Sequence, residues 1–286
     1  MLTLLDKILE WMVESPDLFN FNMEEKVDTK FILDKKISKP LSCLATYSPS
    51  VAKILDGEID IILVGDSVGS TLYDMKNSRG VTLEMMRNHG LAVNKNIKKS
   101  ITMLDMPYRT YRNKTQAFKN SLYLLKNTKA QLLKLEIDEK NIHILKYLCE
   151  KNLKIVAHIG VTPQSFNDFK KIKVVGKKSI EKNKLISLAL KAQSVGAEAI
   201  LLECVSQNVA KEITYKLNIP TIGIGSSKYC DGQILVFDDI VKFDNTKNNP
   251  KFVKRYLNLE KLIKKAVKNF SKDVRDKKYP NKKYSY

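Results

Sequence analysis

Several apolar runs in the sequence end in polar or ionisable residues, and these residues carry the first chemical signal. They are Asp66 and Ser67, Asp105, Lys134 and Glu136, His158, and Glu203. A carboxylate that follows an apolar run is costly to bury unless it is paired or binds a metal. One such residue would be weak evidence, because a buried ion pair would explain it equally well. Five successive runs that all end in this way indicate one functional site.

The carboxylates of this set predict a metal site of a particular kind. Asp66, Asp105 and Glu136 offer only oxygen ligands, which suit Mg²⁺ because this ion keeps several waters or substrate oxygens. The chain has neither clustered histidines nor closely spaced thiols, and this argues against zinc. Lys134 lies two residues before Glu136, so both face the same side of a strand. Its charge favours an anionic substrate such as a 2-oxo carboxylate.

These groups predict chemistry in which a proton is removed beside a carbonyl. A metal ion polarises the carbonyl, and a separate base accepts the α-proton. Glu203 ends a different run and is the candidate base. His158 has two interpretations that the sequence leaves open. It is either a hydrogen-bond donor that faces the ligand or a buried histidine satisfied by its neighbours.

The elements that must position these residues are short apolar runs, each followed by a stretch with helical spacing. The runs are Leu41–Tyr47, Ile59–Asp66, Ile101–Pro107, Gln131–Ile137, Lys154–Gly160, Ala197–Val205, Pro220–Gly225 and Gln233–Ile240. They are apolar almost throughout, which is typical of parallel strands covered on both faces. Eight strands that alternate with helices predict an α/β fold, a (β/α)₈ TIM barrel, with a doubly wound sheet as the alternative. In such a barrel the catalytic groups lie at the carboxyl ends of the strands, as the polar residues do here.

The domain organisation follows from what lies between and beside these runs. No internal repeat and no Gly/Ser-rich linker divides the chain, so residues 1–286 are predicted to form one barrel domain. Residues 1–37 are interpreted as an N-terminal helical extension, and residues 251–272 as a long amphipathic helix. The basic, tyrosine-rich residues 273–286 are interpreted as a C-terminal tail.

The composition is that of a globular protein with a strong positive charge. Fifty basic residues against 31 acidic residues give a net charge of +19, which is a possible signal of nucleic-acid binding. However, 44 of the basic residues are Lys, only six are Arg, and they are scattered over the whole chain. Nucleic-acid readers favour the bidentate Arg side chain. The charge therefore indicates a solvated surface that attracts anionic substrates, with no specific nucleic acid as partner.

The sequence also bears on the compartment. No apolar run approaches the ~20 residues that a membrane span needs, so no span is predicted. Four cysteines are widely spaced, without a CxxC pair. This pattern suits reduced thiols and predicts a cytoplasmic protein rather than a disulfide scaffold.

Seven stretches of the chain, taken together, resemble a known family. They are Leu63–Gly69, Asp105–Pro107, Lys134–Glu136, His158–Ser165, Leu202–Val205, Ile219–Gly225 and Asp231–Val236. Each stretch alone is a modest match, but the seven occur in the order and with the approximate spacing found in ketopantoate hydroxymethyltransferases. The resemblance extends from about residue 38 to the C-terminus.

The resemblance implies a fold, a reaction and a set of site residues. It implies a barrel of the phosphoenolpyruvate/pyruvate superfamily. It also implies hydroxymethyl transfer from 5,10-methylenetetrahydrofolate to 3-methyl-2-oxobutanoate, through a Mg²⁺-stabilised enolate, to give 2-dehydropantoate in pantothenate biosynthesis. By position in the motifs, Asp66, Asp105 and Glu136 would bind Mg²⁺, while Asp66, Ser67, Asp105 and Lys134 would bind the oxo acid. Glu203 would accept the proton, with His158 as a possible supporting residue, and the family implies a large homo-oligomer, a decamer.

The chain departs from the family pattern in several predicted loops. The departures include Ser48, Arg79, Gly80, Ser206, Ser227 and Asp238. None of them is a predicted metal, lysine or base position. They leave room for altered contacts to the folate or to the oxo acid.

Two alternative functions remain at this point. One is a Mg²⁺-dependent carbon–carbon lyase or mutase of the same superfamily that acts on a 2-oxo acid. Such enzymes often carry a catalytic cysteine on a loop after the fourth strand, where this chain has only Cys149, inside a helical pattern. The other alternative is a non-catalytic barrel that binds nucleic acid or serves as a scaffold. The full set of rim carboxylates argues against it, since a scaffold has no use for costly buried charges.

Overall fold

The structure, a computed structural model, describes residues 29, 34, 39–167, 173–243 and 250–286. The predicted N-terminal extension, residues 1–37, lies outside the described residues apart from Thr29 and Asp34. The assignment of the whole chain to one domain stays a prediction.

Eight parallel strands form a closed barrel in chain order, and β1 pairs with β8 to complete it. The strands are β1 Leu41–Ala45, β2 Ile61–Val64, β3 Ile101–Asp105, β4 Leu132–Glu136, β5 Ile155–Gly160, β6 Ala199–Glu203, β7 Thr221–Ile224 and β8 Gly232–Val236. The predicted (β/α)₈ barrel is confirmed, and the doubly wound alternative is wrong because the sheet closes on itself.

Alternate residues of the strands enter two different cores, which explains why the runs are apolar almost throughout. One set fills the barrel interior, as do Ile61, Ile101, Met103 and Leu132. The other set, for example Ile62 and Leu104, packs outward against the helices. Both faces are therefore buried along β2 to β5, and β8 is the most exposed strand, as its residue Gln233 shows.

Helices lie between successive strands, except between β7 and β8, where the described residues 225–231 form turns, and further helices follow β8. The helices are α1 Pro49–Leu55, α2 Val68–Leu72, α3 Leu83–Asn94, α4 Lys114–Thr128, α5 Ile142–Glu150, α6 Ser179–Ser194, α7 Gln207–Lys216, α8 Phe237–Val241 and α9 Leu259–Arg275. Short 3₁₀ turns occur at Ser78–Gly80 and Pro163–Ser165. Side-chain caps begin two of the longer helices: Thr82 at α3 accepts a hydrogen bond from the Met85 N–H, and Asn113 at α4 accepts one from the Gln116 N–H.

Two predicted element boundaries are wrong. The eighth apolar run, Gln233–Ile240, is a strand only as far as Val236, and its second half forms α8. Asp238 and Asp239 lie in the first turn of that helix, where negative charge favours the helix dipole. The helix predicted over residues 251–272 begins only at Leu259, because Asn258 caps it by accepting a hydrogen bond from the Lys261 N–H.

The last helix, α9, has no buried residue. Its exposed apolar side chains include Leu262, Ile263, Val267, Phe270 and Val274, which recur at intervals of three and four residues. We call this set the apolar stripe of α9. Within the described ranges, no helix combines the length and the apolar character that a membrane crossing would require.

Candidate active site

The predicted site residues converge at the carboxyl end of the barrel because most of them continue the interior set of side chains. Asp105 follows Met103 on β3 by two residues, Lys134 follows Leu132 on β4, and His158 follows Val156 on β5. Glu203 extends β6 in the same way. Side chains two apart on a strand share a face. The apolar interior of the barrel therefore ends in a polar layer.

This layer is mostly buried. Asp66, Asp105, Lys134, Glu136 and His158 are all buried. The remaining two predicted residues are more accessible: Ser67 is half-buried, and the Glu203 side chain is 18% exposed. A ligand can therefore reach Glu203 while the charges beneath it are largely removed from water.

Asp105 and Lys134 form an ion pair across neighbouring strands. They are register partners on β3 and β4, and Lys134 Nζ lies 2.9 Å from Asp105 Oδ1. The other carboxylate oxygen of Asp105 accepts a hydrogen bond from the Asp66 N–H at 2.9 Å. Burial raises the pKa of Asp105 to about 6 against the opposing effect of Lys134. Burial alone would lower the pKa of Lys134, but Asp105 and Asp66 raise it above its ordinary value, so the amine stays charged.

His158 links Lys134 to Glu203. Its Nδ1 lies 3.3 Å from Lys134 Nζ, and its Nε2 lies 3.3 Å from Glu203 Oε2. Burial, and after it the charge of Lys134, lower the pKa of His158, so its ring is neutral at neutral pH. An ammonium group can only donate, so Nδ1 is the acceptor and Nε2 carries the proton that faces Glu203. His158 is buried and lies beside two candidate functional groups, and a role toward a ligand stays a prediction.

Gln164 is a site residue that the sequence analysis missed. Its side-chain amide donates to Asp66 Oδ2 at 2.9 Å and to the Met106 carbonyl at 3.0 Å, and its carbonyl oxygen accepts from the Tyr111 hydroxyl at 2.7 Å. Its backbone N–H donates to Glu136 Oε1 at 3.0 Å. One neutral residue therefore orients two of the three predicted metal carboxylates. It lies within the His158–Ser165 stretch, but an uncharged amide gave no signal of its own.

Ser67 is positioned by a second set of contacts that the sequence did not indicate. The hydroxyl groups of Tyr47 and Ser67 are 2.6 Å apart. His89 holds Tyr47 in turn, since its Nδ1 lies 3.0 Å from the Tyr47 carbonyl oxygen. The other ring nitrogen of His89 is 3.0 Å from the hydroxyl group of Tyr73. His89 is therefore a supporting residue of the rim.

Gly160 sets the distance between β5 and the end of β6. It pairs with Glu203 in register and has a φ of +102°, which L side chains rarely adopt. A methyl group on its Cα would lie 2.4 Å from the Glu203 carbonyl oxygen. Only glycine allows the two strands to approach this closely, so Gly160 helps to place Glu203 at the rim.

The carboxylates suit a hard cation although they form no ready-made cage. Burial raises the pKa of Glu136 well above its ordinary value, and Asp66 adds to the effect. Asp66 likewise raises the pKa of Asp105, so these buried negative charges repel one another. Among the described residues, no three His, Cys, Asp or Glu side chains form a metal-ligand cluster. Mg²⁺ needs only one or two protein carboxylates together with waters or substrate oxygens. The carboxylates of Asp66 and Asp105, which are joined by a hydrogen bond, and that of Glu136, which is joined to Asp66 through Gln164, therefore suit this ion.

Comparison with known proteins gives the family. The family model for ketopantoate hydroxymethyltransferase matches residues 26–282. The 3-methyl-2-oxobutanoate hydroxymethyltransferase of Pelagibacter ubique is 42% identical over 264 residues, which cover 92% of this chain and 100% of the relative. The chain belongs to the ketopantoate hydroxymethyltransferase family. The 3-methyl-2-oxobutanoate hydroxymethyltransferase of Campylobacter concisus is 37% identical over 263 residues, which cover 92% of this chain and 97% of the relative.

Solved structures agree with this family in fold. Phosphonopyruvate hydrolase superposes with a TM-score of 0.55 at 11% identity, covering 86% of this chain and 85% of that chain. A 2,3-dimethylmalate lyase of the PEP mutase/isocitrate lyase superfamily gives 0.53 at 10% identity, with 85% and 93% covered. These similarities concern the barrel alone. The resemblance to ketopantoate hydroxymethyltransferase is confirmed, and with it the prediction that the chain is an enzyme.

The buried ion pair generates a prediction about stability. Lys134→Met leaves the Asp105 carboxylate without its cation, and we expect a loss of about 3–5 kcal/mol in the free energy of unfolding near neutral pH. The folded-state pKa of Asp105 is already above that of the unfolded chain, and removal of Lys134 raises it further. The folded state therefore binds the proton more tightly. The loss should shrink as the pH falls from about 8 to about 5.

Urea unfolding at the two pH values measures this effect. Lys191→Met is a matched control, because Lys191 pairs with Glu139 at 2.7 Å on the surface. An exposed pair contributes at most about 1 kcal/mol, and its loss should not vary over this pH range. Equal and pH-independent losses in both variants would show that Lys134 does not compensate a buried charge.

Proposed function

We propose that the protein transfers a hydroxymethyl group from 5,10-methylenetetrahydrofolate to C3 of 3-methyl-2-oxobutanoate, giving 2-dehydropantoate. The observation that carries this proposal is the connected row of Asp66, Asp105, Lys134, His158 and Glu203. This row offers carboxylates and a charged amine at one end and an accessible carboxylate at the other, in a chain of this family, and so supports a site that binds a cation and an anion.

The oxo acid is bound at the buried end of this row. Lys134 remains charged and attracts the substrate carboxylate. Ser67 is free to donate to a substrate oxygen when it accepts the proton of the Tyr47 hydroxyl. Asp66, Asp105 and Glu136 would hold Mg²⁺. When bound there, this ion supplies Lewis-acid polarisation of the keto group and so acidifies the proton on C3.

Glu203 accepts that proton. The reacting carbon of 3-methyl-2-oxobutanoate is tertiary, so its single C–H bond must break before the new C–C bond forms. The electron pair left on C3 then forms a bond to the methylene carbon of the folate. Both bonds of that carbon to nitrogen break, water supplies its hydroxyl group, and the two nitrogens take up the proton from C3 and the second proton of water. Neutral His158 separates Glu203 from Lys134, so the ammonium group does not neutralise the base directly.

The lyase or mutase alternative gains no support from the site. Cys149, the only cysteine near the fourth strand, lies inside α5. Burial raises the pKa of its thiol to about 12, so it is not a thiolate at neutral pH. The solved lyases and hydrolases of similar fold are only 10–11% identical to this chain and carry no argument about its substrate.

The role of Glu203 predicts a specific loss of proton transfer. Glu203→Gln keeps the size of the side chain but cannot accept the proton, so we expect roughly a 10²- to 10⁴-fold slower reaction. The measurement is exchange of the C3 deuterium of the oxo acid with solvent in the absence of folate, which isolates this step. Binding of the oxo acid, followed by calorimetry, should persist.

Glu198→Gln is the matched control, since Glu198 lies just before the same strand at its opposite end. It should exchange deuterium as fast as the parent protein. If Glu203→Gln also exchanged at the parental rate, Glu203 would not be the base.

The carboxylates predict a pH-dependent response to magnesium. A cation at about 100 times its dissociation constant adds ~2.7 kcal/mol of stability, which raises the melting temperature by several degrees. Because burial raises the pKa of Asp105 to about 6, protons already compete with the cation near that pH. The increase in melting temperature caused by Mg²⁺ should therefore be larger at about pH 8 than at about pH 5.

Differential scanning calorimetry with Mg²⁺ and with a chelator measures this response. Asp105→Asn should abolish most of the rise, whereas Asp276→Asn, at the exposed end of α9, should retain it. If Asp105→Asn showed the same increase in melting temperature with Mg²⁺ as the parent protein, Asp105 would not be a metal ligand.

Self-association is also part of the proposal. The resemblance implies a decamer, and the exposed apolar stripe of α9 supports assembly because such a stripe normally packs against another surface. Light scattering should give a mass several times that of one chain. Leu262→Lys together with Phe270→Lys should reduce it, and a parental mass equal to one chain would contradict the proposal.

We also place the protein in the cytoplasm. All four cysteines are described and none forms a disulfide. Unpaired thiols suit a reducing compartment. The proposed partners are the oxo acid and the folate, and no specific binding of nucleic acid is proposed.

A further inference from the structure

Two short 3₁₀ turns, Ser78–Gly80 and Pro163–Ser165, contact each other although they are far apart in sequence. The first turn follows α2, and the second follows β5. Arg79 belongs to the first turn, and its Nε donates a hydrogen bond to the main-chain carbonyl of Gln164 at 2.7 Å. Its guanidinium group also donates to the side chain of Asn167. A side chain of the loop after α2 therefore holds the loop after β5.

The side chain of Arg79 is itself fixed by its neighbours. Asn77 accepts a hydrogen bond from the Arg79 N–H at 3.0 Å, and its side-chain amide donates to the Asn167 carbonyl at 3.1 Å. The guanidinium group of Arg79 lies 4.8 Å from the centre of the Tyr108 ring, which is a favourable cation–π contact. Tyr108 follows β3, so contacts with three loops together set the position of the half-buried Arg79.

The contact with Arg79 completes the hydrogen bonding of Gln164. The side-chain amide of Gln164 holds Asp66, and its N–H holds Glu136, as described for the candidate site. The main-chain carbonyl is the polar atom of Gln164 that remains, and Arg79 donates to it. Gln164 is buried, and each of its polar groups therefore has a partner.

Loss of this donor would affect more than the carbonyl group. A buried carbonyl without a donor is costly, so the Gln164 peptide would turn towards water or towards another donor. The same residue carries the contacts to Asp66 and Glu136, and such a turn would displace both. The hydrogen bond from Arg79 therefore opposes a movement that would separate these two carboxylates.

We propose that Arg79 is a positioning residue of the metal site. Its hydrogen bond to the Gln164 carbonyl keeps the carboxylates of Asp66 and Glu136 in the arrangement that binds a divalent cation. This inference rests on the proposed function in one respect, namely that these carboxylates hold Mg²⁺. Arg79 acts through Gln164 and is not itself a ligand. It is one of the positions at which the chain departs from the family pattern, so the resemblance does not imply this contact.

The charge of Arg79 alone would have the opposite effect on a cation. A guanidinium group repels Mg²⁺, so its removal would strengthen Mg²⁺ binding if charge were its whole contribution. Positioning predicts that removal of the hydrogen bond weakens Mg²⁺ binding. The sign of the change therefore separates the two roles.

Two neutral substitutions, Arg79→Met and Arg79→Gln, isolate the hydrogen bond from the charge. Both side chains match arginine in length as far as Nε, but only the glutamine has an N–H donor at that position. Titration calorimetry with Mg²⁺ alone at about pH 8 gives the affinities. We expect Arg79→Met to bind Mg²⁺ about tenfold more weakly than the parent protein, the lower end of the usual loss for residues that orient metal ligands. Arg79→Gln should stay within about threefold of the parental affinity, because it keeps the donor.

Arg87→Met is the matched control. Arg87 lies on α3 in an ion pair with Glu84, so this substitution removes the same charge elsewhere in the chain. It should bind Mg²⁺ with the parental affinity.

A double variant tests whether Arg79 acts through Gln164. Gln164→Met removes the amide that holds Asp66 and should weaken Mg²⁺ binding by itself. If Arg79 acts through Gln164, the loss in Arg79→Met with Gln164→Met should be smaller than the product of the two separate losses. Losses that multiply would show that Arg79 acts independently and would overturn the inference.

The inference is also overturned if Arg79→Met and Arg79→Gln bind Mg²⁺ equally, or if Arg79→Met binds it at least as tightly as the parent protein. Deuterium exchange at C3 of the oxo acid by the parent protein reports on the proposed function separately. A parent protein that exchanges deuterium, with equal Mg²⁺ affinities in the two Arg79 variants, would overturn this inference and leave the proposed function standing. The expected difference between the variants in a protein that exchanges no deuterium would support the role of Arg79 and contradict the proposed function. A parent protein that does not bind Mg²⁺ would contradict both.

Discussion

The buried pair of Asp105 and Lys134 is the interaction on which the candidate site depends. A carboxylate removed from water is costly unless a cation lies beside it, and the barrel itself supplies that cation. Asp105 and Lys134 are register partners on adjacent strands, so strand pairing alone brings them together. The second oxygen of Asp105 holds the Asp66 N–H and thereby fixes the turn after β2. The same contacts that make the pair tolerable thus orient the next carboxylate.

One lysine cannot balance the carboxylates that surround it, and the imbalance has chemical consequences. Burial raises the pKa of both Asp105 and Glu136, which shows that their charged forms lack sufficient compensation. A divalent cation would remove this deficit, so the electrostatics of the site agree with the proposed chemistry. At the other end of the row, neutral His158 keeps the ammonium group apart from Glu203. The charged amine of Lys134 and the proposed base Glu203 are thus held close together without a direct ion pair.

Strand periodicity predicted much of this arrangement, and its failures have physical reasons. Asp105, Lys134, His158 and Glu203 could be placed at the rim because each ends an apolar run and alternation carries it inward. Gln164 could not be found in this way. It is neutral, and its bond to Asp66 spans 98 residues of sequence, so only the closed barrel reveals it. The end of β8 was predicted too late because Asp238 and Asp239 begin a helix inside a continuous apolar run. The start of α9 was predicted too early because the Asn258 cap lies inside a continuous helical pattern.

The distribution of positive charge connects the surface with the site. Lysine is the general cation of this chain, and most of the net charge of +19 belongs to a solvated surface that raises the local concentration of anions. Such a field attracts anions in general and selects none of them. Selection requires groups with fixed geometry, such as Lys134 in its buried pair with Asp105. Arg79 is also held in place, because its guanidinium group donates to the Gln164 carbonyl at 2.7 Å. It is thereby joined to the residue that orients Asp66 and Glu136. An anion that binds at Arg79 would therefore act on a part of the protein that is continuous with these carboxylates.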